Sequence, residues 1–109
     1  MARVVVVEDK QDLRADLVDY LEAKGYDAVG VGTARDMVAM LETDRFDAVI
    51  LDIQLPDGDG LDLLTRIRAS RNQACGVVML TVQGNPSYRV DALEQGADAY
   101  LVKRASLRA

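Results

Sequence analysis

The chain of 109 residues contains no histidine. That removes imidazole from the roles it usually fills: acid or base near neutral pH, metal ligand, and phosphohistidine carrier. Cysteine is almost as scarce. Cys75 stands alone, so no intrachain disulfide can form, and a small buried thiol in a reducing cytoplasm is the expectation. Apolar runs such as residues 4–7 fall far short of the roughly 20 residues that span a bilayer, and no signal-peptide pattern opens the chain. Neither membrane anchoring nor export is expected. Positive charge is in deficit, with 13 Lys and Arg against 18 Asp and Glu, a net charge of -5. An acidic surface repels phosphate backbones and anionic lipid, so this segment is not expected to bind nucleic acid directly. Carboxylates, hydroxyls and lysine are left to carry any chemistry.

Half of the residues are hydrophobic, enough for one compact domain over residues 1–109. There is no internal repeat, low-complexity segment or linker. Val4, Val5, Val6 and Val7 form a β-branched run without polar alternation, as in a central parallel strand buried on both faces. Leu13, Leu17 and Leu21 then recur at helical spacing, and Gly25 stands where a helix commonly ends in a left-handed residue. A second strand is expected at 27–31. Thr33 is placed to cap a helix carrying Ala34, Met37, Val38 and Leu41, and a third strand follows at 48–51. Residues 54–60, with Pro56, Gly58 and Gly60, read as a loop. Leu61, Leu64 and Ile67 mark a third helix, 77–80 a fourth strand, Val90, Leu93 and Ala97 a fourth helix, and 99–102 a fifth strand. Five strands alternating with helices imply right-handed crossovers and a doubly wound parallel α/β sheet with helices on both faces.

In such folds the active edge lies beyond the carboxyl ends of the strands. Strand one ends in Glu8 and Asp9, strand three in Asp52, strand four in Thr81 and strand five in Lys103. Any one of these could be an ordinary turn former or cap. Together they put three acids, a hydroxyl and a cation on one rim. Clustered carboxylates repel, which suggests a hard divalent cation with oxygen ligands, and Mg²⁺ suits such a site best. A metal beside Asp52 would hold an incoming phosphoryl group, Lys103 and Thr81 could contact its other oxygens, and Asp52 is placed to be the nucleophile.

Val-Val-Glu-Asp at 6–9, Leu-Asp-Ile-Gln-Leu-Pro-Asp-Gly-Asp-Gly at 51–60, Met-Leu-Thr at 79–81 and Gly-Ala-Asp-Ala-Tyr-Leu-Val-Lys at 96–103 together resemble the receiver domain of two-component response regulators. The resemblance spans nearly the whole chain in order, and it implies a flavodoxin-like sheet with strand order 2-1-3-4-5. It implies that Glu8, Asp9, Asp52 and the backbone carbonyl of Gln54 hold Mg²⁺. It also implies that Asp52 accepts a phosphoryl group from a sensor histidine kinase, that Thr81 and Lys103 bind the phosphoryl oxygens, and that Tyr100 changes rotamer together with Thr81. A half-buried strand tyrosine is the alternative for Tyr100.

Three features depart from that pattern. Arg104 follows Lys103 where most members have a cis proline, and a non-proline cis bond costs about 2.5–4 kcal/mol, so a trans bond is expected. Val82 is larger than the small residue often found there and would narrow access to Asp52, slowing dephosphorylation. Ser106 could cap a fifth helix, but the last helix is truncated within a few residues. The natural polypeptide is expected to continue, in this family often into an output domain, and homodimerisation through the fourth helix and fifth strand is a further expectation. Two other readings remain at this point. One is an unphosphorylated docking module. The other is a metal-dependent phosphatase or nuclease using Glu8 with Asp57 and Asp59.

Overall fold

A computed structural model describes residues 2–81 and 86–102. Its elements run β1 (Arg3–Val7), α1 (Gln11–Ala23), β2 (Asp27–Val31), α2 (Ala34–Thr43), β3 (Ala48–Leu51), β4 (Gln54–Leu55), β5 (Gly58–Asp59), α3 (Gly60–Arg68), β6 (Gly76–Thr81), α4 (Pro86–Glu94) and β7 (Ala99–Val102). Five strands pair in parallel in the order β2-β1-β3-β6-β7. Without the short β4–β5 hairpin this is the expected 2-1-3-4-5 order. Residues 103–109, and with them the Lys103–Arg104 bond and the fifth-helix expectation, lie outside the described residues.

The valines of β1 are all buried, because the strand has a neighbour on each side and covering on both faces. Alternate side chains of the strands point opposite ways. Val5, Val7, Val49, Leu51, Val77, Met79 and Tyr100 join Met37 and Leu41 of α2, Leu63, Leu64 and Ile67 of α3, and Ala92 of α4 in one core. The other face carries α1, where Leu13, Leu17 and Leu21 are only half-buried and no residue is fully buried. Ile50, Val78 and Leu80 on that side are half-buried too.

Thr33 caps α2 as expected, its hydroxyl accepting from the Asp36 N–H at 3.1 Å. Gly25 follows α1 with φ of 95°, a conformation costly for residues with a Cβ. Two expectations need correction. Residues 54–60 contain an antiparallel hairpin, with Gln54 opposite Asp59 and Leu55 opposite Gly58. Val90 and Leu93 do not face the core; they are 52% and 45% exposed, while Ala92 is buried and Ala97 lies beyond the helix. The small Ala92 lets α4 lie close to the sheet, so the larger apolar residues that mark the helical period stand on its outer side.

Candidate functional site

The parallel ladder continues one residue past β1 and β3. The Glu8 N–H donates to the Val31 carbonyl at 3.0 Å, and the Asp52 N–H donates to the Val7 carbonyl at 3.2 Å. Glu8 and Asp52 are thereby held at the carboxyl ends of two adjacent central strands. Both are buried, at 2% and 7% exposure, while Asp9 is exposed. One carboxylate oxygen from each of Glu8, Asp9 and Asp52 lies within 4.8 Å of the others. The backbone steers two of them: the Lys10 N–H donates to Glu8 Oε2 at 3.1 Å, and the Gln54 N–H to Asp52 Oδ1 at 3.2 Å. Below Asp52 the chain doubles back, and the Gly60 N–H donates to the Ile53 carbonyl at 2.6 Å. A Cβ at Gly60 would overlap the Asp52 carbonyl and lie 2.7 Å from Ile53 Cα, so only glycine lets the hairpin close beneath the acid.

Three carboxylates meeting at one rim, two of them withdrawn from water, repel one another at close range. The donor set is all oxygen, anionic and open to solvent on the Asp9 side, which fits a hard divalent cation rather than a soft metal. Thr81 is the last residue of β6 and pairs with Val102. Tyr100, opposite Met79, is buried at 5% exposure, deeper than a half-buried strand position. Burial pushes its phenol above the ordinary value, and the Arg89 charge partly opposes the rise. The structure brings Glu8, Asp9, Asp52 and the Gln54 N–H together and sets Thr81 on a neighbouring strand. Lys103, Arg104 and Val82 lie outside the described residues.

The family model of the response regulator receiver domain matches residues 4–109. This chain belongs to that family. The transcriptional regulatory protein PmrA of Pectobacterium parmentieri is 38% identical over 105 residues, covering 96% of this chain and 47% of PmrA. The chain thus spans under half the length of the transcriptional regulators it matches. Among solved structures, a signal receiver domain from Vibrio parahaemolyticus is 30% identical with a TM-score of 0.88, covering 96% of this chain and 80% of that one. A Burkholderia pseudomallei response regulator, whose crystal structure holds a phosphorylated aspartic acid, a calcium ion and citrate, shares the fold. Its TM-score is 0.90 at 22% identity, with 98% of this chain and 62% of that one covered.

The loop acids of this receiver domain have other work. Asp57 accepts from the Ala34 and Arg35 N–H groups at 2.7 and 3.0 Å, closing the start of α2 from a distant loop. Those two bonds hold its carboxyl below the ordinary value. Asp59 caps α3, accepting from the Leu61 N–H at 2.8 Å. With both serving as caps, the reading that joined them to Glu8 in a hydrolytic site loses its carboxylates. The nearby concavity of about 440 Å³ between α2 and α3, lined by Arg35, Val38, Asp57, Asp62 and Arg66 among others, contains none of the clustered acids. Cys75 is buried, and burial pushes its thiol up, as a structural thiol requires. Among the described residues, no helix is long and apolar enough to cross a membrane. Sequence reasoning missed Gly60 and Arg14, whose Nη1 donates to the Glu8 carbonyl at 2.8 Å.

Proposed function

We propose that this receiver domain accepts a phosphoryl group on Asp52, supported by cation binding at Glu8, Asp9, Asp52 and the Gln54 backbone carbonyl, with Mg²⁺ the best-suited ion. The observation that carries the reading is the buried Asp52 carboxylate within 4.8 Å of two further carboxylates at the active edge of the sheet. When bound, the cation would neutralise charge that otherwise repels an incoming phosphate. A carboxylate oxygen of Asp52 forms the new bond to phosphorus while the bond to the donor breaks, and the leaving group keeps that electron pair and takes up a proton. The product is an aspartyl phosphate, which water returns to carboxylate and inorganic phosphate. Thr81 donates its hydroxyl and Lys103 its ammonium to phosphoryl oxygens. Tyr100 reports the change by repacking with Thr81. The domain assists both its own phosphorylation and its own dephosphorylation.

The donor is a phosphohistidine on a sensor kinase, which accords with a chain that has no histidine. Residues 1–109 act as one cytoplasmic domain controlling an output domain beyond them. That the matched regulators are about twice this length and are transcriptional supports such an output. Self-association through α4 and β7, where Val90, Leu93, Leu101 and Val102 are exposed, belongs to the same proposal. Incubation with acetyl phosphate and Mg²⁺ tests the central step. Intact-mass spectrometry is expected to show a gain of one phosphoryl group, lost in Asp52→Asn and in EDTA. No gain in the wild type would instead make the chain an unphosphorylated docking module.

A further inference from the structure

Arg14 stands in the first turn of α1, its N–H donating to the Lys10 carbonyl at 2.9 Å. Its guanidinium reaches back past the end of the sheet. Pairing of β1 with β2 ends at Val7 opposite Val31, and where the ladder stops the Glu8 carbonyl accepts from Arg14 Nη1 at 2.8 Å. Two glycines make the path. A Cβ on Gly30 would stand 2.8 Å from Arg14 Cγ, and one on Gly32 would stand 2.7 Å from Arg14 Nη1. Residues two apart along an extended chain face the same way, so Gly30 and Gly32 form a trough for the stem and head of one side chain. Neither is needed for backbone freedom, since the positive-φ glycines among the described residues are Gly25 and Gly96. The absent side chains are explained by what lies over them.

We propose that Arg14 is a positioning residue of the acid cluster: seated on Gly30 and Gly32, it fixes the Glu8 carbonyl and so the backbone from which Glu8 and Asp9 present carboxylates to a divalent cation. The inference rests on the reading of Glu8, Asp9 and Asp52 as a cation site. It separates from simple charge balance by sign. A cation whose role was to offset the acids would compete with the metal, and its removal would tighten metal binding. A residue that orients the ligands loosens binding when removed, and groups behind metal ligands typically contribute about 10- to 100-fold in affinity.

The test is isothermal titration of the chain with MgCl₂ and MnCl₂, comparing wild type, Arg14→Met, Gly32→Ala, the double variant and Asp52→Asn. Arg14→Met and Gly32→Ala are each expected to raise the dissociation constant about tenfold. The double variant is expected to be no weaker than the weaker single one, because both remove the same contact. Gly32→Ala keeps every atom of Arg14 and only displaces its head, so it decides the matter should Arg14→Met fail to fold by circular dichroism. Unchanged or tighter binding in the variants, or additive losses in the double, overturns the role of Arg14. If the wild type binds and Asp52→Asn does not, such a result leaves the cation site standing. If the wild type binds neither ion, the cation site falls and the role of Arg14 with it.

Discussion

Asp52 and Glu8 are two acids where a folded interior normally admits none without a partner. Backbone N–H groups of Gln54 and Lys10 each donate to one of their oxygens, and both carboxylates lie close to one another and to that of Asp9. Replacing Asp52 by Asn removes a charge while keeping the volume and an acceptor for the Gln54 N–H. In EDTA the Asp52→Asn variant is therefore expected to be more stable by about 1 kcal/mol, a rise of roughly 4–8 °C in Tm for a domain of this size. Added Mg²⁺ is expected to raise the wild-type Tm and leave that of the variant unmoved, since only a ligand of the folded state stabilises it. Thermal unfolding followed by circular dichroism checks both, and an Asn variant that melts lower in EDTA would contradict the repulsion. At this scale the acids were legible, because each directly follows an apolar run and a strand end is the one place such runs converge. Arg14 was not. Its partner is a backbone carbonyl and its path depends on one glycine within β2 and another just past its end, so no side-chain pattern marks it, although a glycine inside a strand is itself a sign of close approach.

The elements are tied together by loops whose polar groups reach across the sequence. Asp57 supplies to α2 an anionic cap from outside the helix, where the unpaired N–H groups favour negative charge. Its carboxyl lies below the ordinary value of 3.8, so its stabilisation is full above that pH and is lost as pH falls through the lower folded value. Urea titrations are expected to show Asp57→Asn less stable than wild type at neutral pH, with the gap closing in acid; a gap that widens there would contradict the assignment. At the opposite end of the sheet, Arg68 Nε and Nη2 donate to the Gly96 carbonyl at 3.0 and 2.6 Å, and Nη1 donates to the Gln73 carbonyl at 2.8 Å and to that of Cys75. Nη2 also meets Asp98 at 3.1 Å. Arg68→Met keeps the stem but strands these acceptors, and a loss of about 3 kcal/mol in urea unfolding is expected. A loss within experimental error would show the contacts to be incidental. Strand positions and helix caps could be read from the chain because period and cap chemistry are local. The β4–β5 hairpin and the inward face of α4 could not. The first is closed by Gly60 against Asp52 and Ile53, and the second is decided by one small residue, Ala92.

In the whole molecule, the site falls where the strand order turns back on itself. The chain passes from β1 outward to β2, then returns across to β3, so the ends of β1 and β3 flank the point at which successive crossovers diverge. That topology, more than any single residue, brings Glu8 and Asp9 to Asp52 across more than forty positions of sequence. The alternating strand and helix pattern implied a doubly wound parallel sheet with right-handed crossovers, and the strand order came with the resemblance to receiver domains. A sheet short of its last helix was also expected to leave apolar surface on one face. Among the described residues the core lies on the α2–α3–α4 side, and on the α1 side Leu13, Leu17, Leu21, Ile50, Val78 and Leu80 are half-buried. The most direct measurement for the account is peptide mapping by tandem mass spectrometry after labelling with acetyl phosphate and Mg²⁺. The phosphoryl group is predicted on Asp52; finding it on Glu8, Asp9, Asp57 or Asp59, or on no residue, would contradict the account.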